Sequence, residues 1–323
     1  MNRNDLLYIV VPCFNEEEVL PETHRRLAQK LEDLAAQNLV SAQSKMLFVD
    51  DGSSDTTWQL IEALAQKDSR VAGAKLSRNR GHQNALLAGL SLAVQRCDMA
   101  VSVDADLQDD LDAINRMVES YHKGAQIVYG VRSDRTTDSF FKRTTAQGFY
   151  KLMETMGVET VYNHADYRLM SRRALEELLS FKEVNLFLRG MVPQLGFKTD
   201  TVTYKRAERF AGQSKYPLKK MLALALNGIT SFSVKPLQLV FWLGILCGFG
   251  GLCATLCQLV LAVLGRAPST AAFVLSSLWL ICGILLTAMG VVGEYVGKIY
   301  METKARPRFV IEQVVGEQPA DPN

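Results

Sequence analysis

Apolar and polar positions alternate along the first part of the chain in a repeating order: a short apolar run, a polar turn, then apolar residues at helical spacing. Residues 6–11, Leu-Leu-Tyr-Ile-Val-Val, read as a buried strand ended by Pro12. Asn15 stands where a helix N-cap belongs, and Glu16, Glu17 and Glu18 fill the first turn, where carboxylates favour the helix dipole. Val19, Thr23, Leu27, Leu31 and Leu34 recur at helical spacing and give that helix one apolar face. The pattern then repeats. Residues 46–49 predict a second strand, followed by Asp50-Asp51-Gly52-Ser53-Ser54-Asp55, with Asp55 placed to cap a helix through residue 64. Residues 71–76 predict a third strand and 82–95 the helix after it; the run before Asp104 is a fourth strand and 127–131 a fifth. Gly81, Ala85 and Gly89 put a small residue at every fourth position of the third helix, which predicts close packing on the sheet.

Strand, polar turn and helix in alternation are the pattern of a parallel sheet covered on both faces. Ligands of such sheets bind beyond the carboxyl ends of the strands. Three acidic clusters, at Asn15-Glu16, Asp50-Asp51 and Asp104–Asp106, fall at such ends. The last is the sharpest. Ala100-Val101-Ser102-Val103 leads into Asp104-Ala105-Asp106-Leu107-Gln108, and in an extended strand end residues i and i+2 point the same way. Two hard oxygen ligands side by side suit Mg²⁺ or Mn²⁺ carrying a phosphorylated substrate, although an isolated Asp-x-Asp also caps helices and solvates turns. No Gly-x-Gly-x-x-Gly follows the first strand and there is no Walker A sequence. A pocket rimmed by carboxylates needs a cation to accept a pyrophosphate.

Composition changes the picture at the other end. The chain has 323 residues and a formal net charge of +2, room for one ordinary domain and more. Residues 237–265 contain no charged side chain, nor do residues 267–293, and each run exceeds the roughly 20 apolar residues that span a bilayer. With only Arg266 and Pro268 between them they predict two transmembrane helices and a short external loop. Lys215, Lys219, Lys220 and Lys235 precede the first run, and Lys298, Lys304, Arg306 and Arg308 follow the second, which places both termini in the cytoplasm. The N-terminus leads straight into a strand without a signal-peptide pattern. Residues 214–235 mix Lys219 and Lys220 with Met221, Leu222, Leu224 and Leu226 and predict an interfacial amphipathic helix; Phe140, Phe141, Lys142 and Arg143 are a second candidate contact. Of six cysteines, Cys247, Cys253, Cys257 and Cys282 lie in the apolar runs, and none has metal-ligand spacing. No basic face interleaved with aromatics supports nucleic-acid binding.

Taken together, Val11-Pro12-Cys13-Phe14-Asn15-Glu16, Asp50-Asp51-Gly52-Ser53-Ser54-Asp55-Thr56 and Asp104-Ala105-Asp106-Leu107-Gln108 resemble the family 2 glycosyltransferases of the GT-A fold. Asp-Ala-Asp-Leu-Gln with two C-terminal apolar runs looks like the polyprenyl-phosphate glycosyltransferases, which include dolichol-phosphate mannose synthases and bactoprenol glucosyltransferases. The resemblance implies an α/β, Rossmann-like, mostly parallel sheet in a cytoplasmic GT-A domain at 1–213. It further implies a juxtamembrane helix at 214–235, two transmembrane helices within 236–297 and a cytoplasmic tail at 298–323. By the same resemblance Pro12, Phe14, Glu16 and Asp50 hold base and ribose, Asp51 is a further substrate contact, Asp104 contacts nucleotide or sugar, and Asp106 and Gln108 hold the metal. Asp166-Tyr167-Arg168-Leu169 resembles the family's Asp-(Phe/Tyr)-Arg-Leu motif, whose Asp lies near the reacting centre, here with Ala165 in place of the usual Gly. Arg209 and Lys215 match a mobile loop over the donor that meets the acceptor phosphate, with Arg132 and Arg168 as further substrate contacts. The Pro that commonly follows Asp-Leu-Gln is replaced by Asp109-Asp110, either of which is a candidate cap for the next helix. The Gln-x-x-Arg-Trp signature of processive synthases is missing, so one sugar per cycle is expected.

What the resemblance implies is inverting transfer of one sugar, glucose from UDP-glucose first among the candidates, to a polyprenyl phosphate at the cytoplasmic membrane face. N-acetylglucosamine, mannose and aminosugar donors are the alternatives, and Mg²⁺ or Mn²⁺ is the expected cofactor. A homo-oligomer also follows from the resemblance. A non-catalytic membrane adaptor is the rival class, weighed against by Asp104, Asp106, Gln108, Asp166, Arg209 and Lys215 standing in one chain.

Overall fold

A computed structural model of the chain describes residues 4–132, 164–183, 188–205 and 270–317. The chain divides into two compact units, one formed by residues 1–150, 159–218 and 306–323, the other by 151–158 and 219–305.

The first unit is built on one eight-stranded sheet. Its strands are β1 (Leu7–Cys13), β2 (Lys45–Asp50), β3 (Val71–Leu76), β4 (Met99–Ser102), β5 (Ile127–Arg132), β6 (His164–Ser171), β7 (Thr199–Tyr204) and β8 (Ile311–Val315). They lie in the order β7-β5-β6-β4-β1-β2-β3-β8. β4, β1, β2 and β3 pair in parallel, β6 runs antiparallel between β4 and β5, and β7 is parallel to β5. The five strands expected from the sequence are therefore present and point one way, as the Rossmann-like reading requires. β1 is buried along its whole length because it is central, and Ile9, Val11, Phe48, Val101 and Leu169 share one apolar core.

Helices α1 (Leu20–Ala36), α2 (Thr57–Lys67), α3 (His82–Ala93) and α4 (Ala113–His122) follow the first four strands. Leu20, Thr23, Leu27, Leu31 and Leu34 form the buried face of α1, as their spacing predicts. The small-residue stripe of α3 packs on the sheet: a Cβ on Gly89 would lie 2.4 Å from Val10 Cγ1 and 2.7 Å from Val49 Cγ2. After β6 come α5 (Arg172–Ser180), capped by the Ser171 hydroxyl on the Ala174 N–H, and the short α6 (Leu188–Gln194).

Several local expectations change. Pro12 does not end β1, which runs on to Cys13; its missing N–H is tolerated because pairing with β4 stops at Val10 and Pro12 pairs only with β2. Asn15 does not cap α1. It adopts φ 52° and its side-chain oxygen accepts the Ser54 N–H at 2.9 Å, while α1 starts at Leu20. Neither Asp109 nor Asp110 caps α4 directly, because Asp109 is buried against Tyr204 and Asp110 accepts the N–H of Asp112, the residue before the helix. Residues 298–323, expected as a tail, contain β8, which closes the sheet edge antiparallel to β3. Glu317 anchors it, accepting the Tyr8 hydroxyl at 3.0 Å and pairing with Arg96 at 2.9 Å.

The second unit contains α7 (Thr270–Thr303), which covers most of the second apolar run. Among the described residues no helix is long and apolar enough to cross a membrane. The first apolar run, the stretch 214–235 and Phe140–Arg143 lie outside the described residues.

Because nothing at Val10 or Val49 can give way cheaply in a close-packed core, Gly89→Ala is expected to cost about 1–3 kcal/mol of stability by overpacking. A urea unfolding midpoint unchanged from wild type would contradict this packing.

Candidate functional site

The carboxyl ends of β1, β2 and β4 carry the three acidic clusters, and each is shaped by a turn. After β1, Phe14 is 37% exposed, an aromatic face presented to solvent beside a buried strand. Glu16 and Asn15 are tied to the next loop through Thr57 Oγ1 and Ser53 Oγ, which accept their N–H groups at 2.9 Å each. Asp55 does not cap α2, whose N-cap is Thr56; it accepts the Thr57 N–H at 3.0 Å from one residue before that cap.

The paired aspartates after β2 differ in what they hold. Asp50 is fully buried and accepts the Ser53 N–H at 3.2 Å, closing the turn through Gly52 at φ 67°. A Cβ on Gly52 would meet the Arg78 carbonyl carbon at 2.7 Å, so two loops touch backbone to backbone there. Asp51 spends both oxygens on a neighbouring loop, accepting the Arg80 N–H at 2.7 Å and the Gly81 N–H at 2.9 Å. Burial raises the pKa of both carboxyls, and these N–H groups work against it. Asp51, expected as a substrate contact, thus fixes the start of α3.

Beyond β4 the chain does not stay extended as the i, i+2 argument assumed, since β4 ends at Ser102 and Leu107 has φ 55°. The alternation nevertheless survives the turn: Val103, Ala105, Leu107 and Asp109 are buried, and Asp104, Asp106 and Gln108 are half-exposed. The Asp106 carboxylate accepts the Gln108 N–H at 3.2 Å, which holds the two side chains' backbone together. Among the described residues no three His, Cys, Asp or Glu side chains converge on a metal position by themselves. Oxygen donors that leave the remaining positions to phosphates and water suit Mg²⁺ or Mn²⁺, and Asp106 and Gln108 carry such donors two residues apart on the same turn.

Opposite stands Asp166, the third residue of β6. Arg168 Nη2 donates to its Oδ1 at 2.8 Å, and Arg189 on α6 donates from Nε at 3.3 Å and from Nη2 at 3.2 Å. His82, the first residue of α3, bridges the two acids, its Nε2 lying 3.5 Å from Asp104 Oδ1 and 3.9 Å from Asp166 Oδ2. Burial alone would raise the pKa of Asp166, but Arg189, Arg168 and His82 together hold it far below the usual carboxylate range. Arg168 is itself buried, with Nη1 reaching the Leu188 carbonyl at 3.4 Å, so it joins β6 to α6. Gln83 accepts the Leu188 N–H at 3.1 Å and ties α6 to α3. Arg132 ends β5, where its Nε donates to the Tyr204 hydroxyl at 3.5 Å, which in turn donates to Asp109 at 2.7 Å.

The fold therefore brings Asp104 and Asp166 together through His82, keeps Phe14, Asp106 and Gln108 accessible, and buries Asp50, Asp51 and Arg168 as supports. Pro12 lies in β1 beside Asp50's strand, and Glu16 is partly exposed. Arg209 and Lys215 lie outside the described residues. His82 and Arg189 are not legible as site residues in the sequence: the first reads only as a helix start, and the second sits in a stretch without periodicity. A polar residue opening a helix immediately after a strand's carboxyl end was the one available signal for His82.

The family described as "Glycosyl transferase family 2" matches residues 8–179. The "uncharacterized glycosyltransferase YkoT" of Bacillus subtilis is 51% identical over 307 residues, covering 95% of this chain and 91% of that protein. The "prophage bactoprenol glucosyl transferase homolog" of Escherichia coli is 38% identical over 308 residues, covering 95% of this chain and 98% of that protein. A solved mannosyltransferase of Pyrobaculum calidifontis, in complex with GDP-Man and Mn2+, superposes with a TM-score of 0.48 at 16% identity, over 94% of this chain and 86% of that one.

Removing the Asp166 charge leaves Arg168 buried without its partner, so Asp166→Asn is expected to lose about 3–5 kcal/mol at neutral pH. A depressed folded-state pKa gives stability that is present above the unfolded carboxyl's pKa of about 3.9 and is lost as pH falls through the folded value. The gap between wild type and Asp166→Asn is therefore expected to be present above about pH 4 and to narrow as the pH falls below it. Thermal melts across that range check it; a gap that closes near neutrality would contradict the ion-pair assignment.

Proposed function

Because the chain belongs to glycosyl transferase family 2, we propose that it transfers one glucose from UDP-glucose to a polyprenyl phosphate at the cytoplasmic face of a membrane. The observation that carries this reading is the meeting of Asp104, Asp166, His82 and Arg189 at the carboxyl ends of the strands, next to Asp106, Gln108 and the exposed Phe14. Glucose and a bactoprenol-type acceptor are favoured by the full-length similarity to proteins named bactoprenol glucosyl transferase in Escherichia coli and Shigella phage SfX.

In this reading Phe14, Pro12 and Glu16 line the base and ribose above the turn that the buried Asp50 holds, and Asp104 faces the sugar. A divalent cation held by Asp106 and Gln108 would neutralise charge on the departing nucleoside diphosphate. Asp166 is too strongly paired to take a proton, and it orients the acceptor and Arg189 instead. No base is needed, since a phosphate monoester with a second pKa of about 6 is already largely ionised at neutral pH. A single displacement then inverts the anomeric centre. Arg132 and Arg168 belong to the cationic side of the site, with Arg168 acting through Asp166, and the family resemblance assigns Arg209 and Lys215 to the same task.

Sheet connectivity supports the membrane part. β7 ends at Tyr204 and β8 begins at Ile311 in the same sheet, so the chain between them crosses any bilayer an even number of times. Two apolar runs satisfy that count, and both termini then share one side, which the flanking lysines and arginines make the cytoplasm. Tyr204 pairs with Arg132 at the end of β5, and Ile311 with Leu76 at the end of β3. Val274, Leu278, Ile281 and Leu285 of α7 are each more than half exposed, which suits lipid better than water.

The test is transfer of radiolabel from UDP-glucose to undecaprenyl phosphate by the purified full-length protein in detergent with Mg²⁺. Label in the lipid phase is expected for wild type, with at least a hundredfold loss in Asp106→Ala and in EDTA. Transfer from another nucleotide sugar alone would change the donor; no transfer and no nucleotide binding would remove the catalytic reading and leave the adaptor.

A further inference from the structure

Two carboxylates compete for one imidazole proton where α3, β6 and the turn after β4 meet, and they compete unequally. His82 opens α3, and the start of that helix is fixed by Asp51, whose oxygens hold the Arg80 and Gly81 N–H groups. Its Nε2 lies 3.5 Å from Asp104 Oδ1 and 3.9 Å from Asp166 Oδ2. A ring nitrogen between two carboxylates carries its proton, because a bare lone pair there would meet only other acceptors. Both separations exceed a hydrogen bond, so a small rotation of the side chains decides which acid receives that proton. Asp166 already accepts from Arg168 Nη2 and from Nε and Nη2 of Arg189. Asp104 has no such supply: among the described residues, His82 is the one charged or hydrogen-bonding group in reach of its carboxylate. The Asp104 side chain is also 37% exposed against 11% for Asp166, so it is the acid that a substrate can touch.

We propose that His82 is a positioning residue for the donor sugar: it gives its Nε2–H to Asp104 and so fixes the direction in which that carboxylate meets a sugar hydroxyl. The proposal rests on the glycosyl-transfer reading for its ligand, and adds to it the residue that orients Asp104. With one carboxylate oxygen engaged by the imidazole, the other is left to accept a hydroxyl proton along a set line. An Asp104 free to rotate would keep its charge but hold a sugar in several orientations, of which few are reactive. The nucleotide lies outside this effect, because in the same reading its base and ribose meet Pro12, Phe14 and Glu16, at the end of β1 and in the turn after it. UDP and UDP-glucose therefore respond differently to loss of the imidazole.

The experiment compares wild type, His82→Leu, His82→Gln, Asp104→Asn and the His82→Leu, Asp104→Asn double variant as full-length protein in detergent, each first checked for its thermal melting point. Binding of UDP and of UDP-glucose with Mg²⁺ is measured by calorimetry. His82→Leu keeps the bulk and removes the donor; it is expected to weaken UDP-glucose binding by roughly tenfold to a hundredfold and to leave UDP binding within about twofold. His82→Gln returns an N–H and is expected to recover most of that loss. In the double variant His82→Leu is expected to add less than about threefold to the effect of Asp104→Asn, because the two side chains act as one. Equal losses for UDP and UDP-glucose, or no loss for either, in a variant that melts like wild type, would overturn the proposal. If His82→Leu does not fold, ¹⁵N magnetic resonance of the imidazoles decides, the chain having four histidines: a His82 signal protonated at Nε2 that moves in Asp104→Asn supports the pairing, and an unmoved signal ends it. Wild type that binds no nucleotide sugar removes the transfer reading and the sugar with it, and the same resonance then settles separately whether His82 holds Asp104.

Discussion

A carboxylate as enclosed as Asp166 stays charged only if cations and hydrogen-bonding groups are brought to it, and the local structure is arranged to bring them. Arg168 comes from the same strand, Arg189 from α6 and His82 from the first turn of α3. Three elements that are far apart in the chain meet on one side chain. Breaking such a pair typically costs about 3–5 kcal/mol because a buried charge is left behind, whereas the intact pair adds little net stability over apolar packing. The interaction is therefore better understood as a constraint on position than as a source of stability. It fixes where α6 lies against β6, and through Gln83 and Leu188 where α6 lies against α3.

The loops at the carboxyl ends follow the same logic at smaller scale. Asp51 is buried and gives both oxygens to the Arg80 and Gly81 N–H groups, so the α3 terminus is set by a residue from β2. Gly52 permits the backbone contact with Arg78 that this needs. The result is that His82 emerges between Asp104 and Asp166. The carboxylates of this site divide into those that build it, Asp50 and Asp51, and those that face it, Asp104, Asp106 and Asp166.

That division marks the limit of what the sequence discloses. Strands β1 to β5 and helices α1 to α3 were legible because apolar periodicity is a local signal, and the acidic clusters were legible because parallel sheets place ligands at one end. Which carboxylate turns inward is decided by turns of a few residues, and Asp50-Asp51 and Asp104–Asp106 look alike in one dimension. β7 escaped notice because Thr-Asp-Thr-Val-Thr-Tyr alternates at an edge with few apolar residues, and its inward positions are only Val202 and Tyr204. β8 escaped because its partner β3 lies far away in sequence, and the lock on it, Glu317 against Tyr8 and Arg96, is long-range as well. Arg189 was invisible for the same reason: its meaning comes from Asp166.

The state of Asp166 also constrains the chemistry. A general base works best when its pKa lies near the operating pH, and two guanidiniums and an imidazole move this carboxyl the other way. Of the remaining acids that face the site, Asp104 is beside His82 and Asp106 is engaged with the Gln108 N–H. A site so arranged favours a nucleophile that arrives already ionised over a sugar or lipid hydroxyl that must first lose a proton. In the proposed reaction a phosphate acceptor meets that requirement without help from Asp166, because it arrives already largely ionised.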